Sequence, residues 1–320
     1  MLNAILLVVG LALILVGANY LTDGSAAIAR RFGLSDLIVG LTIVAFGTSA
    51  PEFTISVMSA VAGNTDMAIG NVVGSNIFNT LVIIGVVALI RPLKIERSIM
   101  TNEIPLVIVA SLALLAMGSS LWLDGTAPVI SRVSGILLLL FFAIFMRYIF
   151  ASAKKEPADE KEVQTKRPVK MWLSCIMVVG GLAALVYGGD MFVDSASAIA
   201  GSLGVSDAVI GLTIVAAGTS LPELATSVVA AMKGNNGIAV GNVIGSNIFN
   251  IFLVLGVAGT VCPLPFGGIS VADLMVLAGS AVLFLLFGWF FRERTITRAE
   301  GGFMAACYVA YIIYLISQAA

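Results

Sequence analysis

Two stretches of the chain combine a proline, a carboxylate and hydroxyls inside runs that are otherwise apolar. "AFGTSAPEF" spans residues 45–53, within an apolar run from about Leu37 to Ala62. Thr48 and Glu52 are four residues apart, so a helix sets them on one face, with Ser49 beside them. Pro51 has no N–H for the carbonyl of Gly47, and Pro222 stands in the same relation to Gly218. Each helix should therefore stop near its Gly-Thr-Ser and restart, which leaves carbonyls at a partly negative helix end. In the next apolar run Asn71, Ser75 and Asn79 recur every four residues as a polar stripe, and Gly70 and Gly74 form a small-xxx-small spacing. The inventory is carboxylate, hydroxyl, amide and carbonyl, all oxygen donors, which suits hard cations such as Ca²⁺ and Na⁺.

The same set recurs further along. "GLTIVAFGTSAPE" (40–52) and "GLTIVAAGTSLPE" (211–223) agree at eleven of thirteen positions, and "GNVVGSNIFN" (70–79) and "GNVIGSNIFN" (241–250) at nine of ten. The offset is 171 in both cases. The second set is Thr219, Ser220, Glu223, Asn242, Ser246 and Asn250, with Gly241 and Gly245. Such self-similarity marks two copies of one unit. Glu52 and Glu223, facing each other across a pseudo-two-fold axis, would together neutralise one Ca²⁺. A lone Gly-Thr-Ser-x-Pro reads equally well as a structural kink, and a lone Asn/Ser stripe as helix-helix glue. Their joint recurrence favours an ion site.

These donors need a membrane to make sense. The chain has 320 residues, 59% hydrophobic and 11% charged, with a mean hydropathy of +1.08. That composition belongs to a multi-span membrane protein. Apolar runs predict spans at roughly 2–20, 37–62, 68–90, 103–121 and 128–150, then 171–190, 208–232, 238–261, 271–291 and 302–317. The N-terminal run lacks a basic n-region and reads as a retained span rather than a signal peptide. The expected architecture is an all-α polytopic membrane protein with ten transmembrane helices. These form two inverted five-helix repeats, 1–150 and 171–320, with discontinuous helices at the ion site. Residues 151–170 are half charged and form a cytoplasmic linker, its acidic cluster simply solvated.

Five spans per repeat is an odd number, so the second copy enters from the opposite side. Placing the loops after spans 1, 3, 5, 7 and 9 on one face gathers 16 of the 17 Lys and Arg there, leaving Arg132 on the other. The positive-inside rule then sets both termini outside and the linker in the cytoplasm of a cell (inner) membrane. This is the pattern of an inverted-repeat transporter.

Other chemistries find little to work with. The chain has no histidine, and Cys175, Cys262 and Cys307 have no ligand spacing, so they read as small packing residues. An intramembrane hydrolase lacks HExxH, a GxSxG elbow and a nucleophile-base pair. A passive channel would bind a cation too tightly between two buried carboxylates. The basic residues are spread over one membrane face, which gives nucleic acid no patch. Asp23, Asp190 and Asp194 sit at span ends and read as interfacial.

The paired "GTSAPE…GNVVGSNIFN" and "GTSLPE…GNVIGSNIFN" resemble the two alpha repeats of the cation/calcium antiporter superfamily, nearest to its prokaryotic sodium/calcium exchangers. The resemblance covers essentially the whole chain. It implies a secondary-active antiporter that exchanges Ca²⁺ for Na⁺ by alternating access, with a Ca²⁺/H⁺ antiporter of the same fold as the alternative. It implies Glu52 and Glu223 as central Ca²⁺ ligands shared with Na⁺. Thr48, Ser49, Thr219, Ser220, Ser75 and Ser246 would line the sites with the carbonyls of Ala45 and Ala216, and Asn79 and Asn250 would complete the cluster. Potassium-dependent members carry aspartate where this chain has Asn250. The linker is too short for a calcium-sensing domain. Spans 1 and 6 are implied to slide against the other eight. No cofactor, enzymatic activity or obligatory protein partner is expected beyond the ions and the lipid bilayer.

Overall fold

In a computed structural model, residues 2–153, 169–203, 216–290 and 294–319 are described. Helix α1 covers Leu2–Phe32, and α2 (Asp36–Thr48) meets α3 (Ala50–Val61) at a 47° bend. Then come α4 (Thr65–Ile90), α5 (Ile99–Gly118), α6 (Arg132–Ala153) and α7 (Met171–Ser202). The short α8 (Ala216–Gly218) precedes α9 (Leu221–Met232). Helices α10 (Asn236–Val261), α11 (Val271–Phe290) and α12 (Arg298–Gln318) complete the order. Among the described residues eight helices are long and apolar enough to cross a membrane, and the bent α2–α3 pair makes a ninth. The protein is a helical, polytopic membrane protein. Most of the 151–170 linker and the first part of the span expected over 208–232 lie outside the described residues.

Several helices outrun their apolar cores. The first was expected to end at about residue 20 and continues to Phe32, because Gly24, Ser25 and Ala26–Ala29 are buried against neighbours and keep the backbone helical past Asp23. The sixth likewise runs to Ser202 rather than 190. The fourth begins at Ile99, four residues before its expected start, with a π-helical turn over Ile99–Glu103. The fifth was expected to start at 128, but Val129–Ile130 form a strand and the helix begins at Arg132. Pro128 and Pro265, neither of which can donate to a helix, flank or enter that strand pair.

Four two-residue strands tie segments distant in sequence. β1 (Leu93–Lys94) pairs antiparallel with β4 (Thr295–Ile296), and β2 (Val129–Ile130) with β3 (Leu264–Pro265). Each pair joins one segment from either side of the linker. Helices α1 and α7 lie against each other along their lengths through glycine. A Cβ at Gly17 would stand 2.7 Å from the carbonyl oxygen of Gly181, and one at Gly181 would stand 2.8 Å from that of Gly17. Such a seam lets two backbones approach as any larger residue would prevent. Lys233 pairs with Asp23, Nζ to Oδ1 2.9 Å, so this aspartate, expected at a span end, lies inside α1 and is half of an ion pair.

Glycine also seats α2 on α10. A Cβ at Gly241 would meet the Leu37 carbonyl at 2.8 Å, and one at Gly245 the Ala45 methyl at 2.6 Å. The equivalent glycines of α4 are not so covered: Gly70 faces the Ile269 side chain, and Gly74 has nothing within 4 Å among the described residues.

Candidate functional site

The bend between α2 and α3 falls at Ser49 (φ −82°, ψ 7°), with Pro51 in the first turn of α3. Proline is tolerated there because the first N–H groups of a helix have no intrahelical partner. Ser220 has the same conformation (φ −90°, ψ 6°) ahead of Pro222 and α9. Each break therefore delivers a glutamate into the first turn of the helix that follows, Glu52 in α3 and Glu223 in α9. The positive end of that helix favours a carboxylate. Both glutamates are wholly buried.

Their hydrogen bonds interlock. Glu52 Oε1 accepts from Ser220 Oγ at 3.3 Å and from Ser75 Oγ at 3.5 Å. Glu223 Oε1 accepts from Ser49 Oγ at 3.1 Å and from Ser246 Oγ at 3.4 Å. Each carboxylate thus takes one hydroxyl from its own half and one from the other. The second oxygens, Glu52 Oε2 and Glu223 Oε2, are buried and accept no hydrogen bond among the described residues. The four serines spend their hydrogens on the carboxylates, so their oxygen lone pairs remain free. Thr48 lies with its Oγ1 3.1 Å from the Val44 carbonyl, 3.4 Å from that of Ala45 and 3.0 Å from Asn242 Oδ1. The Ala45 carbonyl also accepts the Ser49 N–H at 3.0 Å. Thr219 is half-buried beside α8, which begins at Ala216.

Asparagines frame this centre. Asn71 Nδ2 donates to the Glu52 carbonyl at 3.2 Å and to Ser56 Oγ at 2.9 Å. Asn242 Nδ2 does the same to the Glu223 carbonyl at 3.2 Å and Ser227 Oγ at 3.0 Å. Asn79 and Asn250 turn their amide nitrogens away from the glutamates. Asn79 Nδ2 donates to Asn247 Oδ1 at 3.1 Å, and Asn250 Nδ2 to Asn76 Oδ1 at 3.0 Å. Their own Oδ1 atoms are buried and without a partner among the described residues.

Four residues of this frame escaped the sequence reading: Asn76, Asn247, Ser56 and Ser227. The signal for the first two was present, since "GSNIFN" occurs in both copies, but Asn76 lies off the stripe through Asn71, Ser75 and Asn79. The π-helical turns at Asn79–Ile83 and Phe249–Val254 add a residue to the turn there and rephase the side chains that follow.

The electrostatics are one-sided. Lys233–Asp23 is the single ion pair among the described residues, so no lysine or arginine neutralises the two glutamates. Among those residues no group of three or more His, Cys, Asp or Glu could share a metal ion. The formal charge of the buried centre is thus −2 with both glutamates ionised. A buried carboxylate is costly without a compensating cation.

A helical membrane protein with broken spans and a buried, oxygen-lined, anionic centre is a cation transporter by its architecture. Comparison with known proteins makes the class specific. Residues 2–151 and 173–317 match the family described as sodium/calcium exchanger protein. The putative antiporter CaxA of Alkalimonas amylolytica is 37% identical over 324 residues, covering 98% of each chain. The sodium/calcium exchanger MaX1 of Methanosarcina acetivorans is 33% identical and again covers 98% of each. Among solved structures, the sodium-calcium exchanger NCX_Mj soaked without Na⁺ or Ca²⁺ superposes with a TM-score of 0.83 at 32% identity. That match covers 98% of this chain and 99% of the other. The chain belongs to the sodium/calcium exchanger family, and it is an antiporter of cations rather than an enzyme family member.

Proposed function

We propose that this protein exchanges Ca²⁺ for Na⁺ by alternating access, with Glu52 and Glu223 as the shared ligands. The observation that carries the reading is the pair of buried carboxylate oxygens, Glu52 Oε2 and Glu223 Oε2, unpartnered among the described residues, beside serine hydroxyls that are already committed to the other carboxylate oxygens. One Ca²⁺ balances the charge of −2. The lone pairs of Ser49, Ser75, Ser220, Ser246, Thr48 and Thr219, the carbonyls of Ala45 and Ala216, and Asn79 and Asn250 supply further oxygen ligands. Hydroxyls and carbonyls replace the hydration shell of Na⁺ in the same place when the cation is monovalent.

The architecture proposed with it is ten spans in two inverted repeats, 1–150 and 171–320, joined by a cytoplasmic linker, with both termini outside the inner membrane. The cross-pairing of β1 with β4 and of β2 with β3 supports two intertwined halves. The interleaved glycines of α1 and α7 support a pair of helices that moves as one body.

The test is ⁴⁵Ca²⁺ uptake into proteoliposomes loaded with Na⁺, against the same vesicles with an outward H⁺ gradient and no Na⁺. Uptake driven by Na⁺ alone supports the reading. Uptake driven by H⁺ alone replaces it with Ca²⁺/H⁺ exchange, in which the glutamates carry protons.

A further inference from the structure

Asn76, Asn79 and Thr80 of α4 meet Asn247 and Asn250 of α10 in a cluster whose members are all buried. Asn79 and Asn250 each stand one helical turn beyond a serine that donates to a glutamate, Ser75 and Ser246. Their nitrogens are spent inside the cluster, and their Oδ1 atoms are buried with no partner among the described residues. A side-chain amide can turn over with almost no change of shape, exchanging its acceptor oxygen for two N–H donors. Only the chemistry of its partners fixes its direction.

Here each direction is anchored on a backbone carbonyl, which can only accept. Asn76 Nδ2 donates to the Asn247 carbonyl at 3.1 Å, so Oδ1 is the atom that Asn76 has left for Asn250. That oxygen can only accept, so Asn250 presents its nitrogen there, at 3.0 Å, and its own Oδ1 on the other side. The second relay has one more member. Thr80 Oγ1 gives its hydrogen to the Asn76 carbonyl at 2.9 Å, and can then only accept from Asn247 Nδ2, also at 2.9 Å. Asn247 Oδ1 is thereby turned to Asn79, whose Nδ2 donates to it at 3.1 Å and whose Oδ1 again lies on the far side. The position 171 residues after Thr80 is Ile251, so the hydroxyl anchor exists in one half alone, and Asn76 takes a carbonyl directly instead.

We propose that Asn76, Asn247 and Thr80 are positioning residues that lock Asn79 and Asn250 with their amide oxygens, and not their nitrogens, toward the cation. The inference rests on the exchange reading above, in which those oxygens are ligands. Without an anchor, an amide beside two ionised glutamates turns its N–H groups to the carboxylate oxygens. An arriving cation must then break a charge-assisted hydrogen bond before it binds. A bond of that kind corresponds to roughly a 10- to 100-fold change in affinity.

Equilibrium ⁴⁵Ca²⁺ binding to the purified protein reads the effect. Thr80→Val removes the hydroxyl and keeps the volume, and should weaken binding roughly 10- to 100-fold, whereas Thr80→Ser should bind as wild type. A double-mutant cycle separates positioning from packing. In an Asn79→Ala background no amide remains to turn, so Thr80→Val should change the affinity by no more than about 2-fold, while in Asn250→Ala it keeps its full effect. Asn76→Ala should do the reverse, silent in Asn250→Ala and fully felt in Asn79→Ala. The two arms are independent, so misfolding of one variant leaves the other to decide. Losses that add in every background would assign these residues a packing role and overturn the inference, as would a Thr80→Val protein that binds Ca²⁺ like wild type. A wild-type protein that binds no Ca²⁺ would overturn the exchange reading, and this inference with it.

Discussion

The Ser49 hydroxyl, at the bend of one broken span, reaches the Glu223 carboxylate of the other at 3.1 Å. Ser220 returns the contact to Glu52 at 3.3 Å, so neither half of the chain completes its carboxylate alone. The proposed ion site is therefore a property of the pairing of the two halves. Removing one hydroxyl takes an oxygen ligand from the proposed Ca²⁺ site, a loss of about 1–2 kcal/mol on the scale of one polar contact. Ser49→Ala and Ser220→Ala should each weaken Ca²⁺ binding by roughly 5- to 30-fold. Equilibrium ⁴⁵Ca²⁺ binding to purified protein measures it, with Thr54→Ala as the control. Thr54 is exposed on the same helix as Glu52 and donates only to the Ala50 carbonyl.

Glu52→Gln and Glu223→Gln should each abolish Ca²⁺ exchange while the protein still inserts and remains monodisperse. The amide keeps the shape and lowers the cost of insertion, but halves the charge that balances Ca²⁺. Flux assays on protein that elutes as wild type decide it, and normal exchange in either variant would remove that glutamate from the mechanism.

Asn250 fixes the charge of the centre at −2, because Asn79 is neutral too. One Ca²⁺ uses that charge completely, leaving none for a monovalent cation bound beside it. Na⁺-driven Ca²⁺ flux should therefore be the same with K⁺ replaced by choline on both sides. Asn250→Asp places a third carboxylate beside Asn76 and should make transport sensitive to K⁺ or to pH. A wild-type protein that stops without K⁺ would mean that another anionic ligand has been missed.

Asn64 and Asn235 are equivalent positions, each at the N-cap of the helix that follows a broken span. The proposed inverted arrangement sets them on opposite sides of the membrane. In a background free of Cys175, Cys262 and Cys307, a cysteine at 64 should react with an impermeant thiol reagent added to intact cells, and one at 235 should not. Asn64 is exposed and Asn235 half-buried, so the pair is repeated in everted vesicles, where the order should reverse. Equal labelling from one side would contradict the odd number of spans per repeat.

Much of this molecule is legible in its residues because bilayers impose simple rules. Apolar length marks a span, proline marks where a helix cannot hold its hydrogen bonds, and a carboxylate in hydrocarbon needs a purpose. Thr48, Ser49, Glu52, Ser75 and their counterparts stand out on those grounds, since type and spacing along one helix suffice. What the spacing did not contain is which atoms meet across the two halves. That Ser49 serves Glu223 rather than Glu52 depends on how two broken helices cross, and no periodicity within one helix encodes a crossing. Asn79 and Asn250 show the same limit. A four-residue stripe turns them toward the glutamates, whereas amide hydrogen bonds to Asn247 and Asn76 take up their nitrogens. The helix ends also moved, because packing against α7 and neighbouring segments keeps residues 24–29 helical where apolar content alone runs out. Local sequence decided which groups are present and which backbone breaks hold them. The tertiary structure decided their partners, since hydrogen bonds between halves are chosen by the relative position of helices that no single segment specifies.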